Sequence, residues 1–88
     1  MPIKEITNDS RAVSLRFVRA YEELRYLGLV KTKTEFCKSI GIYHASNLKR
    51  IEDNKNNEPS INSILLLLEA YNVNPDWLFF GKGEFLRK

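Results

Sequence analysis

Apolar positions along this chain recur at intervals of three and four residues, and no stretch alternates with a period of two. Such spacing is that of helices with one buried face, so the chain is predicted to be all-α and without strands. The first pattern begins near Asp9 or Ser10: Val13, Phe17, Tyr21, Leu24 and Leu27, with Ala20, make a stripe, while Arg16, Arg19, Glu22, Glu23 and Arg25 fall largely off it. Asn8, Asp9 and Ser10 are N-cap candidates, and Gly28 is placed to close the helix in the left-handed conformation, with Leu29 folding back on the last turn. The predicted helix is about 18 residues long.

Thr32-Lys33-Thr34-Glu35 is a Thr-x-x-Glu capping box and predicts a second helix start. Phe36, Cys37 and Ile40 give that helix a short apolar face, and Gly41 ends it after barely two turns. A helix so short has no independent stability and must pack against a neighbour. The next pattern, with Leu48 and Ile51 as its apolar positions, starts within a few residues of Gly41, so the pair reads as a helix-turn-helix by spacing. A polar loop from Asp53 to Pro59 follows, then a fourth helix capped by Ser60 and carrying Ile61, Ile64, Leu65, Leu67, Leu68 and Tyr71. Being apolar on more than one face, it is expected at the centre of the fold. Asn74-Pro75 marks the N-cap and N1 of a short fifth helix containing Trp77 and Leu78, ended by Gly81 and Gly83. The expected core is Phe17, Leu24, Phe36, Ile40, Leu48, Ile51, Leu65, Leu68 and Trp77.

At 88 residues the chain is expected to form a single domain, comprising an N-terminal arm (1–9), a helical body (10–80) and a C-terminal tail (81–88). Its 43% hydrophobic and 28% charged composition is that of a folded protein. The longest apolar run, Ile64–Leu68, is far below the roughly 20 residues of a membrane span, and Met1 to Glu5 lack the basic-then-apolar pattern of a leader. A cytoplasmic, non-membrane protein is the expectation. One cysteine, Cys37, and one histidine, His44, provide neither a disulfide nor a structural zinc site, so no metal or cofactor is expected. His44 as a catalytic base or ligand lacks a second histidine or paired carboxylates nearby, and no other constellation points to an enzyme. Cys37, between Phe36 and Ile40, reads as a packing residue.

The net charge of +3 is unevenly spread: residues 1–30 carry five basic and four acidic groups, 31–57 six and three, 58–88 three and four. The excess lies over the helix-turn-helix. Placing residues 43–54 on a helix with Leu48 inward turns Ile51, Ala45 and His44 toward the core and Tyr43, Ser46, Asn47 and Arg50 outward, with Lys49 flanking. That outward stripe carries no acid before Asp53, and its side chains can hydrogen-bond base edges in a major groove. Tyr43, His44, Ser46, Asn47 and Arg50 are therefore candidates for base readout. Lys31, Thr32 and Lys33 at the start of the second helix, with Lys49 and Lys55, are candidates for phosphate contact.

Thr32 to Ile42, Ser46 to Glu52, Pro59-Ser60-Ile61 and Asn74 to Leu78 together resemble the Cro/repressor-type helix-turn-helix domains of the lambda-repressor-like fold. The resemblance covers roughly residues 10–83 and extends to a bacterial subset in which Asp-Trp-Leu precedes a Gly-x-Gly-Glu tail, as Gly81-Lys82-Gly83-Glu84 does here. It implies a compact five-helix domain that binds double-stranded DNA sequence-specifically as a transcription regulator, usually as a dimer. By position, Lys33 stands where the family often has a phosphate-contacting glutamine, Cys37 where it has a small buried residue, and Ser46, Asn47 and Arg50 on its recognition helix. Two departures are visible: Gly41 to Ser46 is one residue longer than the family's turn, and Glu52 to Pro59 one longer than its loop. The competing class is a protein-interaction module or antitoxin built on the same fold. Phe79, Phe80, Phe85 and Leu86 exceed what a small core absorbs, and are expected at a homodimer interface or as additional packing.

Overall fold

Turn chemistry decides where each helix of this chain stops. The computed structural model describes residues 8–54 and 56–87, and within them five helices follow one another: α1 (Asn8–Tyr26), α2 (Lys33–Ser39), α3 (Ala45–Asp53), α4 (Ile61–Ala70) and α5 (Pro75–Phe80). The protein is all-α over these residues, its extended pairing limited to one isolated bridge between Val73 and Leu86. Of the expected N-terminal arm, residues 1–7 lie outside the described residues.

α1 ends where Gly28 takes φ +77°. The Leu29 amide then reaches back to the Leu24 carbonyl at 2.9 Å and the Gly28 amide to Arg25 at 3.0 Å, satisfying carbonyls the helix leaves open. α2 repeats the device: Gly41 has φ +76°, and the Ile42 amide bonds the Cys37 carbonyl at 2.8 Å. At its start the Thr32 hydroxyl accepts from the Glu35 amide at 3.1 Å, the first half of the expected capping box. Ser60 caps α4 by accepting from the Ser63 amide at 3.1 Å, and Asn74 caps α5 by accepting from the Asp76 amide at 3.0 Å with Pro75 at N1.

One core joins all five helices. Phe17, Leu24, Phe36, Ile40, Leu48 and Ile51 are buried in it as expected, and Leu68 and Trp77 pack partly buried against it. Tyr21 and Phe36 meet with ring centroids 5.5 Å apart, and Phe36 meets Tyr71 at 6.1 Å, so rings from α1, α2 and the end of α4 form one stack. Ser39 closes this side, its hydroxyl on the Phe36 carbonyl at 2.6 Å and against the Tyr71 hydroxyl.

Three expectations are corrected. Leu65, placed in the core by sequence, is 49% exposed, and the fully buried position on α4 is Leu67. α4 is accordingly not central: it buries Ser63 and Leu67, half-buries Ile64, Leu66 and Leu68, and leaves Ile61 78% exposed. A run of five consecutive aliphatic residues does not reveal its own phase, and the small Ser63, bonded to Ser60, marks the inward side. Leu27 lies past the end of α1 and is half exposed; Val30 is buried instead.

The C-terminal residues are tied into the domain. The Asn74 amide bonds the Phe85 carbonyl at 2.7 Å and the Arg87 amide the Asn72 carbonyl at 2.9 Å. Phe85 stands edge-on to Trp77 at 4.6 Å. Phe85 and Leu86 are thus half-buried in their own chain, folded onto the α4–α5 connection rather than onto Phe17 and Tyr21 of α1. Phe79 and Phe80 stay exposed, Phe80 at 69%.

Candidate nucleic-acid interface

α3 is held to the body by Leu48 and Ile51. At 100° per residue from those anchors Ser46 and Arg50 fall on the far side of the helix and Asn47 on its flank, and all three are exposed. Tyr43 is 94% exposed. The helix starts at Ala45, two residues later than the sequence placement assumed, and this changes His44. It is the N-cap residue with extended backbone (φ −127°, ψ 129°), its side chain makes no capping bond, and it is exposed instead of turned toward the core. Tyr43 and His44 therefore stand ahead of the helix, on the connection from α2, while Asn47 and Arg50 stand on the helix itself.

The outward face borders a groove of about 520 Å³. Tyr43, Asn47 and Arg50 line one side of it and Asn56, Asn57, Glu58, Pro59 and Ser60 the other. That opposite wall is shaped by Asn54, whose side chain accepts from the Asn56 amide at 2.9 Å and whose carbonyl accepts from the Asn57 amide at 2.9 Å. Asn56, Asn57 and Ser60 are groove residues the sequence reading did not single out for base readout. The signal available was the asparagine-rich composition of the loop, which favours turns in which Asx side chains bond nearby amides.

Phosphate candidates are distributed around this face with different surroundings. Lys31, Thr32 and Lys33 are exposed at the start of α2. α2 has seven residues, so its end supplies little dipole and any phosphate contact there falls to the side chains. Lys33 Nζ lies 5.8 Å from the Tyr21 ring centroid, and with Lys49, Glu22 and Glu52 it borders a small cleft between α1 and α3. Lys49 is paired with Asp53 at 3.1 Å. The hydrogen bond that the Lys49 ammonium donates to the Asp53 carboxylate, then the Asp53 charge, holds Lys49 above its ordinary pKa, and the pairing partly cancels its positive field. Lys55 lies outside the described residues.

Cys37 is buried on α2. Burial pushes its thiol above the ordinary cysteine range, and the nearby Lys33 charge pulls the other way. A raised pKa disfavours the thiolate, and Cys37 packs in the core between its apolar neighbours. Among the described residues no group of three His, Cys, Asp or Glu side chains could hold a metal ion. Likewise no helix among them is long and apolar enough to cross a membrane.

Comparison of the chain with protein-family models, with curated proteins and with solved structures gave no match in any of the three. The functional reading therefore rests on the residues of the α3 face and its groove.

Proposed function

We propose that this domain binds double-stranded DNA sequence-specifically and acts as a transcription regulator, with α2 and α3 serving as a Cro/repressor-type helix-turn-helix in a lambda-repressor-like arrangement. The observation that carries it is the outward face of α3: Ser46, Asn47 and Arg50 exposed on a helix anchored from behind by Leu48 and Ile51, with Asn47 and Arg50 bordering an open groove. Arg and Asn are the side chains that pair bidentately with guanine and adenine edges in the major groove. Tyr43 and His44 would reach bases beside the helix, and Lys31, Thr32, Lys33 and Lys55 the phosphates. The Asp53 pair makes Lys49 the weakest of the phosphate candidates. No cofactor enters this reading, and its place in the cell is the cytoplasm, with the DNA.

A single helix touches few base pairs, so the active species is proposed to be a homodimer with two α3 helices about 34 Å apart on successive major grooves. Its contact is drawn from Phe79, Phe80, Ile61 and Leu65, which remain exposed. The same apolar surface is what favours the second reading, a protein-interaction module or antitoxin. Selection of bound sequences from random duplex DNA at a stated salt concentration separates the two. A palindromic motif with α3-width half-sites supports the DNA reading; recovery of unselected sequences at physiological salt replaces it with the interaction module.

A further inference from the structure

Arginines from outside α3, α4 and α5 end each of these helices. Arg16 of α1 donates through Nε to the Leu78 carbonyl at 2.7 Å and through Nη2 to Phe79 at 3.0 Å, capping α5. Arg87 donates to the Leu68 carbonyl at 3.1 Å near the end of α4. Arg11, also on α1, serves α3: Nη1 donates to the Ile51 carbonyl and, at 3.5 Å, to Asn54, while Nη2 donates to Glu52. The last carbonyls of a helix have no partner within it, and the end of the helix is the negative pole, so a guanidinium that forks across three of them is favoured twice over. Next to it, Ser10 donates to the Glu58 carboxylate, so the first turn of α1 holds both the end of α3 and the loop that forms the far wall of the groove.

We infer that Arg11 is a positioning residue for base readout, resting on the DNA-binding reading above: it touches no base and fixes where Asn47 and Arg50 stand. α3 has nine residues and buries just Leu48 and Ile51. Two apolar contacts resist separation from the core but little resist rotation or sliding along it, because dispersion is not directional. The Arg11 fork supplies the directional contact. It grips the turn that follows Arg50, whose own carbonyl accepts from the Asn54 amide at 2.9 Å. A shift at that turn moves the Arg50 guanidinium off a bidentate geometry without unfolding anything.

The test compares the full chain with R11M, R11K and R16M, the last removing an arginine from the same helix that caps α5 instead of α3. Two quantities are read: amide hydrogen exchange at Asn54, and the ratio of affinities for the selected site and a scrambled duplex at one salt concentration. In R11M, exchange at Asn54 accelerates and the affinity ratio falls about tenfold, the worth of one good base contact. In R11K, a single ammonium cannot span three carbonyls and the fall is smaller, which keeps the test alive if R11M does not fold. R16M loses stability but keeps the ratio. Equal loss of discrimination in R16M reduces the effect to general destabilisation and overturns the positioning role. Unchanged exchange at Asn54 in R11M also overturns it, whatever the chain does with DNA. A wild-type chain that selects no sequence overturns the DNA reading and this role together, whereas a wild-type motif read equally well by R11M overturns this role alone.

Discussion

α3 and α4 are nearly the same length, nine and ten residues, and each lays one face on the same core, yet only α4 leaves large aliphatic side chains exposed on its outer face. α3 shows solvent Ser46, Asn47 and Arg50 together with Lys49, Glu52 and Asp53 and no large apolar side chain; α4 shows it Ile61 and Leu65 beside Asn62 and Glu69. Inward packing cannot explain either outer face, since each helix keeps its anchors regardless. An outer face that can hydrogen-bond in many directions costs nothing in water and suits a polar partner such as a base-pair edge. An outer face of branched aliphatics, extended by Phe79 and Phe80 of α5, is left unsatisfied by water and suits another apolar surface. On the proposed reading, DNA would take the α3 side of the domain and protein association the other.

The largest expected effect tests whether the inward and outward faces are correctly phased. Leu48→Ala leaves a cavity under α3 and should cost about 2–5 kcal/mol, while Leu65→Ala, on the outside of α4, should cost about 0.5 kcal/mol or less. Urea denaturation of both variants measures this, and equal losses would erase the difference between the faces. Next in size is the readout itself. Asn47→Ala and Arg50→Ala should each cost about 1–3 kcal/mol on the selected site and relax specificity at the position they read. Lys33→Ala should weaken all duplexes alike and lower the salt slope by about one, and Lys49→Ala should do less because Asp53 already partly cancels its field. Specificity untouched by both α3 substitutions would transfer function to the apolar side.

The apolar side has its own test. Ile61→Ser with Phe80→Ser should shift the intact chain from dimer toward monomer in sedimentation, by a change of about tenfold or more in the dissociation constant. Affinity per half-site should stay as it was. Removing the residues after Gly81 is the wrong experiment for this purpose, because the tail pairs with Asn72 and Asn74 and its loss would damage the α4–α5 connection. A monomer in the unmodified chain, both free and on DNA, would sink the dimer.

Local chemistry was legible in the sequence where a residue type has a single use. Thr32, Ser60, Asn74-Pro75, Gly28 and Gly41 marked helix ends that the structure confirms within one or two residues, because capping oxygens and left-handed glycines act on their immediate neighbours. The outward set Ser46, Asn47 and Arg50 was legible too, since two flanking apolar anchors fix the phase of a short helix. Phase was not legible in Ile64–Leu68, where every position is equally apolar, and His44 was misplaced because nothing in Tyr43-His44-Ala45 announces the helix start. Contacts across the fold were beyond sequence altogether. Arg11, Arg16 and Arg87 look like solvated charges along the chain, and become helix caps only when tertiary packing brings distant carbonyls to them.

The smallest expected effect concerns α2, which lies against both helices being compared. Cys37 is buried there with its thiol pKa raised by burial, and Lys33 at the exposed start of α2 opposes that shift. Because the folded-state pKa lies above the unfolded one, the neutral thiol's contribution to stability is fully present below the unfolded value of about 8.5 and is lost as the pH rises from there through the folded-state pKa. Denaturation midpoints should therefore hold steady up to about pH 8.5 and fall as the pH rises above it, and Cys37→Ala should flatten that slope. Lys33→Ala removes the opposing charge, lifts the thiol further and should slow its labelling by a thiol reagent in the folded chain at a fixed alkaline pH. Lys49→Ala should leave the rate unchanged, its charge being held by Asp53 on α3. If both lysine variants label at the wild-type rate, Lys33 does not sit close enough to influence the α2 interior, and its field is free to act outward on phosphate.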